Sequence, residues 1–380
     1  MKKTYKRLLW LRHETKPFEE RAPITPAACR TLIKLGHKVA VESSKGRIFS
    51  DAEYGEAGCE IVKPGSWVTA PTDAFILGLK ELPNENFPLN HRHIYFAHAF
   101  KGQAGARDLL KRFVIGGGKL YDLEYLVDKN KKRVVAFGHW AGFTGAALAL
   151  KVWAFKKLNL NVDDIAPLMP FSSSEDLIEK VGGFLDLAGD KPKVLILGHK
   201  GRSGRGAKAL CRQLGIEFEG WGRAETKQNS DPKNLLSYDI LVNTVLINKA
   251  TKAFLTPDCI KQEKRLSVIS DVSCDPTGPY NPLPIYKDCT TMQKPSIKIA
   301  DNLELIAIDH LPSLLPKESS SDFSSALLPF LIDLLQAEIE DTAWERSLTR
   351  FYEEVEEYQI FDPISPIMAE SESGPGLNLH

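Results

Sequence analysis

Two short stretches end apolar runs with side chains able to move protons: Lys80 in GLKELP (78–83) and His98 in IYFAHAFKGQ (94–103). The carboxyl end of a buried strand is where open α/β sheets place chemistry. A histidine titrates near neutral pH unaided, whereas a lysine joins it only when burial or neighbouring cations lower its pKa. Taken singly, a surface lysine and a hydrogen-bonded core histidine are the plain alternatives. A third stretch, WLRHETKPFEERAPITP (10–26), sets Arg12, Lys16 and Arg21 between a strand and a proline-started helix. That is a carboxylate-binding turn or a solvated surface.

VLILGHKGRSGRGA (194–207) is a different kind of signal. An apolar strand runs into Gly198, Gly201, Gly204 and Gly206, and AKALCRQLG (207–215) follows as a helix capped by Gly215. Strand, glycine turn and helix form the dinucleotide-binding context, in which bare backbone and a helix N-terminus meet a pyrophosphate. The GxxGxxG spacing is one residue looser than the usual fingerprint, so a loop that binds no phosphate stays an alternative. The acid that normally ends the next strand and holds the ribose is absent. IEFEGW (216–221) is followed by Gly222 and Arg223, with Glu219 and Glu225 off position. Room and charge for a 2′-phosphate would look like this, which leaves NADP(H) open beside NAD.

The elements that must position these residues alternate. TPAACRTLIKLG (25–36) carries an N-cap threonine, a proline at the first helical position and a terminating glycine. Strand-like runs surround it at 8–11, 38–42, 73–79, 93–98 and 119–126. A Gly- and Ala-rich apolar segment, 136–158, reads as a long buried helix connecting two domains, because His139 and three lysines argue against a membrane span. A second set of strands follows at 194–197, 216–221, 239–247, 266–273 and 303–311. The expected fold is α/β: two Rossmann-like domains with mostly parallel sheets and an active-site cleft between them. The expected division is a substrate domain over 1–135, completed by a C-terminal helix over about 321–350, and a dinucleotide domain over 136–320, with 366–380 a disordered tail.

Composition agrees with a two-domain globular protein. Of 380 residues, 43% are apolar, and 49 Lys and Arg balance 49 Asp and Glu, so no nucleic-acid or membrane partner is signalled. The apolar run LLWL is too short for a secretory signal, and a cytoplasmic protein is expected. Six cysteines lack CxxC spacing, and His91 and His93 have no third ligand, so neither a disulfide framework nor a metal is expected.

LRHETKPFEERAPITP, GSWVTAPTDAFILGLKELP, FAHAFKGQAG, LYDLEYL, RVVAFGHWAGFTGAAL, SDVSCDPTGPYNPLPIY and IDHLPSLLP occur in order from about residue 8 to residue 335. Together they resemble the fungal-type saccharopine dehydrogenases, which are NAD-dependent and lysine-forming, act in the aminoadipate pathway, and are akin to alanine dehydrogenases and the transhydrogenase substrate-binding domain. The resemblance implies reversible cleavage of saccharopine to lysine and 2-oxoglutarate by a cytoplasmic monomer. It implies Lys80 and His98 as the acid/base pair, with Glu124 tuning the lysine. Oxidising an amine needs a base for the nitrogen proton, and hydrolysing the imine needs a group that activates water.

By the same resemblance Arg21, Gln103, Lys132, Phe137, Ser273, Cys274 and Asp275 join Lys80 around the substrate. It implies Arg133, Gly201, Arg202, Thr226, Leu246, Val272, Ile308, Asp309, His310 and Leu311 along the dinucleotide, to which the residue reading of the glycine turn and the next strand end adds Gly198, Gly204, Gly222 and Arg223. Three positions depart from the family. Lys132 stands for an arginine and loses the bidentate fork, Gly222 stands for the ribose-binding aspartate, and Leu246 stands for an aromatic. These departures keep two other readings in view: an opine-type dehydrogenase for another amino acid and oxo acid, and a dinucleotide-binding relative that has lost activity.

Overall fold

The computed structural model describes residues 6–247, 249–337 and 339–360. Its first half holds β1 (Leu8–Leu11), α1 (Pro26–Lys34), β2 (Lys38–Glu42), α2 (Asp51–Glu56), β3 (Glu60–Val62), β4 (Phe75–Leu77), β5 (Arg92–Tyr95), α3 (Ala106–Gly116) and β6 (Lys119–Asp122). The strands form one parallel sheet in the order β3-β2-β1-β4-β5-β6. The expected helix is α1: Thr25 accepts the Ala28 amide at 3.3 Å, Pro26 begins the first turn, and Gly36 leaves at φ +92°.

The second half holds α4 (Gly138–Lys157), α5 (Ser174–Ala188), β7 (Val194–Leu197), α6 (Arg202–Gln213), β8 (Phe218–Trp221), α7 (Arg223–Gln228), α8 (Pro232–Leu236), β9 (Ile240–Asn243), β10 (Val268–Asp271), β11 (Ile297–Ala300) and β12 (Leu303–Ile306). Its sheet runs β11-β12-β10-β9-β7-β8 and is parallel except where β11 meets β12. The chain then returns. Phe323, Leu327, Leu331, Leu334 and Leu335 of α9 (Pro316–Gln336), with Trp344 and Phe351 of α10 (Ala343–Glu357), lie in the core of the first half. Ser320 and Ser324 of α9 accept the Ala22 and Thr25 amides at 2.9 and 3.0 Å, tying the loop after β1 to that helix.

Most strands are shorter than the runs expected for them, β4 spanning Phe75–Leu77 of 73–79 and β6 Lys119–Asp122 of 119–126. Two expectations need correction. α6 starts at Arg202, five residues before the expected Ala207, so Gly204 and Gly206 lie inside it. The reason is close packing: a Cβ on Gly206 would sit 1.8 Å from the His139 carbonyl oxygen at the start of α4. Likewise α9 begins at Pro316, well before 321–325. The tail expected to be disordered, 366–380, lies outside the described residues.

Strand order reverses between β1 and β4 in the first sheet and between β7 and β9 in the second. The crevice outside the carboxyl ends at such a reversal is the binding place of open α/β sheets. The two halves meet there: the Arg202 guanidinium donates to the Arg133 carbonyl, and Asp309 feels the charges of Lys16 and Lys80 across the gap.

Candidate functional site

Lys80 leaves β4 through Gly78 and Leu79, and its backbone is fixed by the residues after β1. Glu14 accepts the Leu79 and Lys80 amides at 2.6 and 3.0 Å. Arg12 donates to the Lys80 carbonyl from a buried position and stacks 5.5 Å from the Tyr95 ring. Arg12 therefore holds the chain rather than a ligand, which corrects its place in the expected cationic turn. Lys16 is exposed. Burial lowers the Lys80 pKa, Arg21 and Lys16 lower it further, and Glu19 and Glu81 oppose them. That is the direction in which a lysine's pKa must move before it can act as a base.

Arg21 is buried and held by Glu19 in two bonds, Nε to Oε1 at 2.7 Å and Nη2 to Oε2 at 2.6 Å. Burial alone would raise the Glu19 pKa, but Arg21 wins and keeps it below the ordinary range. The guanidinium lies 4.4 Å from the Phe137 ring centroid, and Phe137 stacks on Phe323 of α9 at 4.4 Å. Phe137 is thus a support for Arg21.

His98 follows β5 with φ +50°, a left-handed conformation that a non-glycine residue adopts at a cost of about 1–3 kcal/mol. Its Nε2 lies 3.6 Å from Glu81 Oε1 and its Nδ1 4.0 Å from Glu124 Oε2. Burial lowers its pKa, the two carboxylates pull it back, and Lys80 and Lys16 push it down again. Glu124, after β6, also binds Lys101 at 2.7 Å and Arg133 at 3.0 Å. Its charge raises the His98 pKa, while Glu19 and Glu81 raise that of Lys80. Gln103 shares a groove with Glu81, His98 and Arg112, and its Oε1 accepts the Lys101 amide at 2.7 Å, leaving its NH2 free to donate.

Two buried acids that the sequence reading missed sit beneath these residues. Glu42, at the end of β2, accepts from Trp10 Nε1 and the Gly65 and Trp67 amides, and lies 2.7 Å from the His13 ring. Asp122 closes β6, accepts the Glu124 amide at 2.8 Å and the Ala97 amide at 3.3 Å, and is pushed up to about 7 by burial. Each is the polar last residue of an apolar strand, KVAVE and KLYD, the signal that singled out Lys80 and His98. Lys132, by contrast, is exposed, and its backbone amide is tied to Asp128 at 2.9 Å.

On the second half, Gly198 has φ +78° and donates to the Trp221 carbonyl at 2.8 Å, so the turn after β7 requires glycine. A Cβ on Gly201 would meet only the Gly198 carbonyl, at 3.3 Å, so this loop presents open backbone ahead of α6. A dinucleotide pyrophosphate fits such a surface. Gly222 caps α7, with its amide on Glu225 at 2.8 Å and its carbonyl accepting from the Thr226 hydroxyl at 2.8 Å. Arg223 and Leu246 are exposed.

Beyond β10, Asp271 binds Asn243, Ser273 and Tyr286, and Cys274 Sγ lies 3.1 Å from Cys289 Sγ. Val272 is half-buried, and a Cβ on Gly145 of α4 would come 2.7 Å from its Cγ2. Asp275 turns back on Gly278, while Asp309 pairs with the His310 ring. Ile308 and Leu311 are core side chains and could meet a ligand only through backbone. Among the described residues, no cluster of three or more His, Cys, Asp or Glu could hold a metal ion, and no helix is long and apolar enough to cross a membrane.

Two mostly parallel sheets, one with Lys80 and His98 beyond its strand ends and the other with a glycine loop, define a two-domain dehydrogenase fold of the alanine dehydrogenase class. Residues 10–144 match the family model for the N-terminal domain of alanine dehydrogenase/PNT proteins, and residues 223–357 match its C-terminal domain. Among solved structures, an L-alanine dehydrogenase shares the fold at TM-score 0.65 and 17% identity, covering 91% of this chain and 93% of that one. More narrowly, the chain belongs to the saccharopine dehydrogenase family. It is 43% identical over 357 residues to the saccharopine dehydrogenase [NAD(+), L-lysine-forming] of Yarrowia lipolytica, covering 90% of this chain and 96% of that protein. It is 44% identical over 339 residues to the same-named protein of Candida glabrata, covering 86% and 91%.

Proposed function

We propose that this protein is a saccharopine dehydrogenase, cleaving saccharopine reversibly to L-lysine and 2-oxoglutarate with a nicotinamide dinucleotide. The observation that carries the reading is the meeting of Lys80 and His98 at adjacent strand ends, beside a buried arginine and opposite Asp309 of the dinucleotide-binding half. Gly198, Gly201, Arg202, Gly204 and Thr226 would hold the dinucleotide, with Arg133, Val272 and the backbone of Ile308 to Leu311 along its path. When bound, it supplies the two-electron acceptor for the glutaryl α-carbon.

The chain's own groups do the proton work. Arg21, with Nη1 left over from its clamp on Glu19, and Lys16 would hold substrate carboxylates, and Gln103 would donate from its amide. Lys80, the base nearest Arg21, would take the proton from the secondary amine as the carbon–nitrogen double bond forms. His98, on the more open side and flanked by Glu81 and Glu124, would deprotonate the water that attacks the imine carbon. It would then return that proton to the departing lysine nitrogen. Ser273, Cys274 and Asp275 would border the substrate from the second half.

We assign 1–135 with the returning helix over about 321–350 to the substrate domain and 136–320 to the dinucleotide domain, in a cytoplasmic monomer. Lysine competing against other amines, each with 2-oxoglutarate or pyruvate and a reduced dinucleotide, tests the reading. Lysine with 2-oxoglutarate must win clearly. Broad use of other amines would replace it with an opine-type dehydrogenase.

A further inference from the structure

The adenosine end of the dinucleotide path carries a concentration of charge that the lysine-forming reaction does not use. β8 ends at Trp221 without an acid, and a Cβ built on Gly222 would lie 3.8 Å from His199 Nε2 and 3.9 Å from Lys200 Nζ. Both residues come from the glycine loop, so the loop's side chains lean toward the place where a ribose-binding acid would otherwise stand. The His199 ring rests against Gly220, where a Cβ would come within 2.5 Å of its Nδ1, and its buried Nε2 has no hydrogen-bond partner among the described residues.

Arg223 is the next residue, exposed, and Arg205, Lys208 and Arg212 form a stripe along α6. Burial and the neighbouring Arg212, Arg205 and Lys200 all lower the Lys208 pKa, the mark of cations crowded together. Among the described residues, none of Lys200, Arg205, Lys208, Arg212 and Arg223 makes a salt bridge to an acid. The one acid facing His199 and Lys200 is Glu225, and its carboxylate is occupied with the Gly222 amide. Like charges assembled without counter-charges are held at a cost unless an anion joins them.

We infer that His199, Lys200 and Arg223 form a pocket for a 2′-phosphate on the adenosine ribose, so that this chain binds NADP(H) more tightly than NAD(H). The inference rests on the dehydrogenase reading above and departs from the NAD(+) of its relatives' names. In dinucleotide folds an acid at this strand end holds the 2′-hydroxyl, and a nearby arginine admits the 2′-phosphate instead. Gly222 removes the first, and the loop and Arg223 supply the second. Cation–phosphate bonds of this kind are strong and salt-sensitive.

The test is calorimetric titration of the purified full-length protein with NADPH and, separately, with NADH, without substrate. The expected result is an NADPH Kd lower by at least about tenfold, the signature of one good phosphate contact. Lys200→Ala and Arg223→Ala should each shrink the NADPH-to-NADH preference, and Gly222→Asp should reverse it. NADH binding as tightly as NADPH, or more tightly, overturns the inference and leaves the dehydrogenase reading intact. Binding of neither dinucleotide overturns both.

Discussion

Glu19 clamps Arg21 through two bonds of 2.6 and 2.7 Å, with both side chains only 3% exposed, and the clamped pair flanks Lys80. The pair sets two quantities at once. Burial lowers the Lys80 pKa first, and on top of it Arg21 lowers it and Glu19 raises it, so the pair adds two opposed charges to the lysine's proton affinity. The same pair buries two charges that lean chiefly on each other.

Glu19→Gln should therefore move both quantities. Losing the negative charge leaves the pull of Arg21 on Lys80 unopposed by its partner, so the limb of the kcat/KM pH profile that titrates Lys80 should move to lower pH. Leaving a buried arginine without its partner should cost about 3–5 kcal/mol, read as a lower urea midpoint. A pH profile that stays in place, or moves upward, would remove Glu19 from the control of Lys80.

Lys80→Met and His98→Gln should each lower kcat by ~10²–10⁴, the usual contribution of a general acid or base. Both side chains reach the crevice, so thermal midpoints should change little. Wild-type turnover in either variant would refute the role given to that residue.

Removal of the Glu124 charge acts on the histidine instead. Glu124 raises the His98 pKa across 4.0 Å, so Glu124→Gln should move the His98 limb of the pH profile to lower pH and leave the Lys80 limb where it was. Movement of the Lys80 limb alone would restore the pairing expected from the sequence.

His93 gives the fold a pH dependence of known sign. It lies fully buried among the rings of Trp67, His91, Tyr95 and Phe113, at centroid distances of 5.1 to 6.2 Å, and neither ring nitrogen has a partner among the described residues. Burial first, then Arg12, His91 and Arg112, hold its pKa well below the ordinary value. The unfolded chain takes up this proton below about pH 6.5 and the folded chain does not, so stability falls as pH drops through that value. His93→Phe should remove up to ~1.4 kcal/mol per pH unit of that loss below pH 6.5. Urea midpoints of the two proteins compared at neutral and mildly acidic pH would measure it, and a constant difference between them would contradict the argument.

How much of this was legible in the sequence depends on how local each signal is. α1 and the turn at Gly198 follow from neighbouring residue types, and both are where the sequence puts them. The start of α6 does not, because Gly-Arg-Ser-Gly reads as a loop until α4 lies against it. The approach of Glu124 to His98 was not legible for a topological reason: Lys80 follows β4 and Glu124 follows β6, with β5 and His98 between them, and strand order is not written in either segment. Glu19 escaped notice because FEER looks like surface charge, and only the return of α9 with Phe323 beneath Phe137 buries that turn. β3 and β11, three and four residues long, carry too little pattern to be read in advance.

Incubating the protein with saccharopine and oxidised dinucleotide and identifying the products by mass spectrometry tests the central claim most directly. Lysine and 2-oxoglutarate should appear in equal amounts, matched by the rise in dihydronicotinamide absorbance and lost in Lys80→Met. Saccharopine left intact while the protein still binds dinucleotide would contradict the account, because the crevice would then be built for another amine.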